Sequence, residues 1–447
     1  MLIVKWTCQD GMAGIQSKEL ATHRDIDELK QTIWDLPENT SKTDLEKTPI
    51  GLFMRRVLRV QAEFQKGATL GAFRESAILM NQQSNSSLVN MFTKETGLTP
   101  QEYLDFTIFA YAAISNGNQS IHPGHFEQLL HLHDIEKLNA YLDCMSADFA
   151  KLTGYVRSLP DANKKVYSEI FEFPVLSRYP FYKHQNMYLC WHPAVFMRGA
   201  EGLVHAVLSK YGQTYIDKYS RAFEKHIVAT SRNCVQEFLD ENEISDILPK
   251  HSKVVDGLIS FAGMNVYVEV KAGLYNESLM TSGEKRTFSH KTKSLINAIH
   301  QAWEVSSNLR VEKKAPDQIL KSESEYLLVV TNRELTAGTG KKLSAIYPAE
   351  TLQTPDSSVL ERLPLENIYI VSVDDFERLI VSAKNNDIEL PGFLNKCKVH
   401  DSKPDTMVFY MQQHLEQSKL PNYVSHIVDE CYKTAFARIE HLFNSNS

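Results

Sequence analysis

The sequence predicts an α/β protein in which a central mixed β-sheet is flanked by helices. A mainly α-helical N-terminal domain precedes this core, and a helical extension follows it. Three observations lead there. Residues 253–273, KVVDGLISFAGMNVYVEVKAG, read as two apolar strands joined by a tight turn. Residues 326–331 (YLLVVT) and 368–373 (IYIVSV) read as buried strands that complete the sheet. Apolar residues recur at helical spacing through most of 44–159 and again after Pro421.

Bulk properties set the frame. The 447 residues suffice for two or three domains, taken here as 1–165, 166–385 and 386–447. A content of 43% hydrophobic and 23% charged residues is that of a folded soluble protein. The net charge of -7 excludes a global positive field for nucleic acid but leaves room for a local basic groove. No apolar run reaches the ~18 residues of a membrane helix, and MLIVKWTCQD holds too short an apolar run for a secretory signal. Six cysteines without a CxxC pair fit reduced thiols in the cytoplasm.

Taken in order, residues 2–7 alternate and are expected as a strand. Pro49 opens a helix carrying Phe53, Val57, Val60 and Phe64, and further helices are expected at 69–80, 100–115, 123–132 and 135–154. Thr99-Pro100-Gln101-Glu102 is a helix start with an N-cap, proline at the first position and acid in the first turn. His122, His125, His131 and His133 fit neither HExxH nor a zinc-finger spacing, so a His-rich helix is expected rather than a metal site. The proline- and aromatic-rich stretch 166–192 reads as extended segments. Helices are then expected from Pro193 to about Gly212 and from Tyr215 to Asp240. The second buries Phe223, Ile227, Val235, Phe238 and Leu239, with Glu224 beside that stripe.

The strand pair carries the chemistry. Val266, Val268 and Val270 alternate with Tyr267, Glu269 and Lys271, which share the opposite face. A turn centred on Ala262 and Gly263 sets Asp256, in the first strand, opposite Glu269. Two carboxylates and an ammonium on one face of an apolar sheet call for a cation.

A helix bearing Glu224, a strand bearing Asp256 and, after a gap of twelve residues, Glu269-Val270-Lys271 together resemble the PD-(D/E)XK nuclease superfamily. The residue before Asp256 is Val255 rather than proline. The resemblance covers about residues 170–380 and implies a restriction-endonuclease-like core. It implies a Mg²⁺- or Mn²⁺-dependent nuclease, with DNA as the preferred substrate and bacterial anti-phage defence as the setting. It further implies that Asp256, Glu269 and the Val270 carbonyl hold the ion. Hard oxygen ligands select such cations. Lys271 would orient or deprotonate the attacking water or shield the developing charge; Glu224 would hold a second ion or a water. An RNA-cleaving enzyme and a non-catalytic nucleic-acid-binding or assembly subunit are the alternatives.

Residues 285–314 hold seven Lys/Arg against Glu304 and Glu312. Of these, Lys285, Arg286, Lys291 and Lys293 are candidate phosphate contacts on or before a helix spanning 290–309. Gln301 stands where some relatives carry a positioning glutamine, but the tyrosine that follows it there is Val305 here. Ala337 to Lys342 (AGTGKK) fails as a phosphate loop, because Leu335 and Lys342 occupy positions needing Gly and Ser/Thr. It is expected as a mobile polar loop near the substrate. A helix is expected at 374–383. The stripe Val424, Ile427, Val428, Cys431, Ala435, Ile439 and Leu442 packs on the core or forms a dimer or partner seam.

Overall fold

The computed structural model describes residues 1–10, 22–33, 35, 52–55, 57, 58, 64, 70–82, 86–159, 174–273, 285–347, 351, 352 and 355–445. The chain divides into two compact units, Met1–Tyr215 with Glu430–Ser447, and Ile216–Asp429. Pro49 and Val60 lie outside the described residues, while Phe53, Val57 and Phe64 are helical.

The first unit is mainly helical. Residues Leu2–Asp10 form a helix, not the expected strand. Six alternating residues do not settle the period, and the helix places Val4 and Cys8 together against Leu152 and Val156 of helix Phe149–Ser158. Helix Pro100–Ser115 starts as expected with a reciprocal capping box. Thr99 Oγ1 accepts from the Glu102 N–H (3.2 Å), and the Glu102 carboxylate accepts from the Thr99 N–H (2.7 Å). The expected helix at 123–132 is instead a 3₁₀ turn, Pro123–His131. That at 135–154 is split into Ile135–Met145 and Phe149–Ser158 by strand residues.

Those residues belong to a small four-stranded sheet: β1 (Ser120–Ile121), β2 (Ser146–Ala147), β3 (Phe181–His184) and β4 (Met187–Cys190), in the order β1-β4-β3-β2. The extended segments expected in 166–192 are β3 and β4; residues 166–173 lie outside the described set. Their pairing with β1 and β2 joins them to the first unit, so the division falls later than the 165/166 boundary expected. His133 bonds Asp105 (2.9 Å), His125 bonds the Phe109 carbonyl (3.1 Å) and His122 accepts from the Gly124 N–H (3.1 Å), so three members of the His-rich stretch have structural partners.

The second unit is built on a five-stranded mixed sheet. Its strands are β5 (Phe238–Asp240), β6 (Gly257–Phe261), β7 (Met264–Lys271), β8 (Ser324–Thr331) and β9 (Ile368–Ser372), in sequence order across the sheet. Strands β5, β6 and β7 pair antiparallel, and β7, β8 and β9 pair parallel. The helix expected to run to Asp240 ends at Cys234, and Phe238 and Leu239 lie in β5 instead. Phe238 decides this by packing over Gly257 so closely that a Cβ there would sit 2.6 Å from its ring.

Parallel strands need a crossover, and helix Lys293–Val311 supplies it between β7 and β8, packing on both. Helix Val373–Lys384 follows β9 as expected. Six consecutive residues of β7, Met264–Glu269, are buried, so both faces of the sheet are covered. Helix Gln213–Cys234 is tied to this layer by His226 with Glu377 (2.7 Å), Asn332 with Tyr219 (2.6 Å) and Lys384 with Asn233 (2.6 Å). These bonds fix the helix that carries Glu224.

The extension is helical, with Leu390–Asp401, Met411–Gln417 and His426–Ser445. It helps to cover residues 337–340, contrary to the mobile loop expected at 337–342. Ala337 and Thr339 are buried, and the Lys342 ammonium donates to the Val408 carbonyl. A polar sequence, read alone, does not reveal cover arriving from residues so distant.

Candidate active site

The β6–β7 turn positions everything else. Gly263 adopts φ +81°, a left-handed conformation that glycine enters without steric cost, and the turn pairs Phe261 with Met264. That register runs to Gly257 opposite Val268 and so sets Asp256 level with Glu269, as the alternation predicts. One detail differs. Asp256 is not in the strand; it stands just before β6 begins at Gly257. Where the backbone ladder stops, its carboxylate continues it, accepting from the Val270 N–H at 2.6 Å.

Glu269 is fully buried in the central strand. Its carboxylate lies 2.5 Å from the Lys271 ammonium, yet neither oxygen receives a well-formed hydrogen bond among the described residues. Burial, reinforced by repulsion from Asp256, raises its pKa to about 8 despite Lys271. Asp256 is half-buried and is likewise raised by desolvation, opposed by Lys271 and the Val270 N–H. Burial pulls the Lys271 ammonium down, but Glu269 and Asp256 outweigh it and hold the group above its ordinary value. Lys271 is therefore a resident cation, not a free base.

Glu224 is half-buried. Its pKa is raised first by desolvation and then by Asp256 and Glu241, with Lys271 opposing. The geometry joins Asp256, Glu269 and Lys271, whereas Glu224 is linked to Asp256 and Lys271 through charge and not through a direct bond. Sequence reasoning missed Glu241, which opens helix Glu241–Ile247 and repels both Glu224 and Glu269. The acid-rich run Asp240-Glu241-Asn242-Glu243 marks a capping box there, with Asp240 as the cap rather than the end of the preceding helix.

The donor set suits a hard cation in part. Asp256, Glu269 and the Val270 carbonyl are oxygen donors, and Glu269 has two buried oxygens short of partners. Among the described residues, no group of three or more His, Cys, Asp or Glu side chains is drawn close enough to hold a metal by itself. Main-chain oxygen and water would have to complete any such shell.

Helix Lys293–Val311 braces the segment before Asp256. The Gln301 amide donates to the Val254 carbonyl, and Glu304 pairs with Lys253 at 2.9 Å. Gln301 thus supports the backbone of this segment. The helix expected at 290–309 is broken at buried Thr292, dividing Lys285–Lys291 from Lys293–Val311. The Thr292 hydroxyl returns to the Phe288 carbonyl (2.7 Å) and bonds the Tyr347 hydroxyl. Beside this break, Arg286, Ser289, Lys291, Lys293, Tyr347 and Thr351 line a cleft of about 440 Å³. Three of the four predicted phosphate contacts are therefore together; the Lys285 side chain lies outside the described residues.

Comparison with protein-family models, curated proteins and solved structures returned no match. Among the described residues, no helix is long and apolar enough to cross a membrane.

Proposed function

We propose that the second unit is a Mg²⁺- or Mn²⁺-dependent nuclease of the PD-(D/E)XK type, with DNA as its substrate. One observation carries the reading: a fully buried glutamate, short of hydrogen-bond donors, sits level with an anchored aspartate and beside a charged lysine. A buried carboxylate left this way is costly, and a ligand cation offsets that cost. The order of elements agrees, running from the helix of Glu224 through three antiparallel strands, a crossover helix and a parallel strand.

The ion would be held by Asp256, Glu269 and the Val270 carbonyl. When bound, it lowers the pKa of water and neutralises charge on a phosphodiester. The protein's own groups have separable tasks. Asp256 is fixed by the Val270 N–H, so its geometry is set before ligand arrives. Lys271, held as an ammonium, shields charge developing on the phosphate oxygens. Glu224 and Glu241 surround the site with negative charge that favours a cation and orients water. DNA rather than RNA, and a place in anti-phage defence in the cytoplasm, follow from the likeness to that superfamily alone. The first unit or the C-terminal helix would serve a partner or a second copy.

The test is digestion of single- and double-stranded DNA and RNA by the full chain with Mg²⁺, Mn²⁺ or EDTA. Metal-dependent cleavage of DNA is expected. Equal cleavage in EDTA sinks the metal mechanism, and cleavage of RNA alone assigns the other substrate. Binding without cleavage in any metal favours a non-catalytic subunit.

A further inference from the structure

The cleft beside the Thr292 break is distinct from the carboxylate site in its chemistry. Arg286, Lys291 and Lys293 line it, His290 adjoins them, and among the described residues no carboxylate lines it. Among the described residues, none of these three cations makes an ion pair. Other cations of the same unit differ: Arg310 pairs with Glu325 (3.0 Å) and Lys253 with Glu304 (2.9 Å). Three like charges around one hollow repel one another and raise its potential, which favours an anion of more than one charge. Ser289 and Thr351 add hydroxyl groups to the lining.

The concave shape narrows the ligand. A phosphodiester backbone presents one charge per phosphate, and cations that track it are spread along a groove. A phosphate monoester concentrates about 1.5 to 2 negative charges and three acceptor oxygens on one centre. Three cations and two hydroxyl-bearing residues lining one cleft match the second pattern. Tyr347 is buried, its hydroxyl held by Thr292, so the ring closes the hollow and does not offer a free stacking face.

We propose that this cleft binds the phosphate monoester of a nucleotide, either the terminal phosphate of a strand or that of a free nucleotide. The strand-end form rests on the nuclease reading; the anion cleft does not. The experiment measures anisotropy of internally labelled single-stranded DNA bearing a 5′-phosphate, a 3′-phosphate or only hydroxyl ends. Full-length protein is used in EDTA, with AMP and inorganic phosphate as competitors. One phosphorylated strand is expected to bind about 10-fold tighter than the hydroxyl strand. That difference should vanish in the triple variant Arg286→Ala, Lys291→Ala, Lys293→Ala. Displacement by AMP of wild type but not of the variant also supports the cleft and assigns it to free nucleotides.

Equal affinity for the three strands with no competition overturns the proposal. So does a preference that survives in the triple variant. Circular dichroism checks the fold of that variant; if it is unfolded, the exposed single changes Lys291→Ala and Lys293→Ala are each expected to reduce the preference, and an unchanged preference in both overturns it. A phosphate preference without cleavage in any metal removes the nuclease reading and leaves the cleft standing. Metal-dependent cleavage with no preference for phosphorylated ends does the reverse.

Discussion

Two glutamates on adjacent strands of the same sheet, Glu269 on β7 and Glu325 on β8, are both fully buried, yet their surroundings differ. Glu325 is met by Arg310 at 3.0 Å, by Arg362 at 3.6 Å and by the Ser306 hydroxyl. Among the described residues, Glu269 is met by the ammonium of Lys271 alone, two residues away on its own strand, and it faces Asp256 as well. One end of the sheet spends its buried charge on structure, with each carboxylate oxygen paired. At the other end Asp256 is held by the Val270 N–H, while Glu269 is left short of hydrogen-bond partners among the described residues. Burial therefore does not separate a structural acid from a functional one; the count of donors around it does.

The contrast is open to attack at both ends. Arg310→Ala leaves Glu325 underpaired, and a loss of about 3–5 kcal/mol in unfolding free energy is expected by denaturant titration. A loss below ~1 kcal/mol would mean that Glu325 is not held as the geometry indicates. At the other end, Asp256→Ala, Glu269→Ala and Lys271→Ala are each expected to lower metal-dependent cleavage at least ~100-fold with the fold intact by circular dichroism. Wild-type rates in these variants would remove the catalytic assignment.

Glu269→Gln sharpens the comparison through pH. The folded pKa of about 8 exceeds the ordinary 4.5, so the folded state binds the proton more tightly than the unfolded one. In EDTA, this group's contribution to stability is least unfavourable below about 4.5 and worsens as pH rises to about 8. The limiting slope is on the order of 1.4 kcal/mol per pH unit. The Gln variant lacks that term, so its melting temperature should fall less than wild type between those pH values. Identical slopes would contradict the desolvated carboxylate. Mg²⁺ affinity of the wild type, read by calorimetry, should increase as pH rises through the same range, because the ion competes with the proton.

Smaller effects test the periphery. Glu224→Ala is expected to reduce cleavage about 10-fold, and Glu241→Ala by less, since it is exposed. Gln301→Ala removes the bond to the Val254 carbonyl and should cost about 1 kcal/mol of stability. A full loss of cleavage in that variant would make Gln301 more than a brace.

Much of the second unit was legible in local sequence. The Ala262–Gly263 turn sets the β6–β7 register because a two-residue connection leaves the strands little choice of pairing. The helix start at Thr99 and the strands at 324–331 and 368–372 follow from caps and apolar runs of a few residues. What went astray depended on partners far along the chain. Leu2–Asp10 became a helix because Cys8 and Val4 found Leu152 and Val156. Phe238 became strand because it covers Gly257, and Gly338 and Lys342 met residues near Val408.

The candidate site divides the same way. That Asp256, Glu269 and Lys271 meet is written in the turn and the period of two, since both act within one hairpin. That Glu269 has fewer partners than Glu325 among the described residues, that Glu241 adds its charge to the site, and that three cations line one cleft at a break in a helix are tertiary outcomes. Each depends on which distant side chains reach the same few ångströms, and spacing along a chain does not encode that distance.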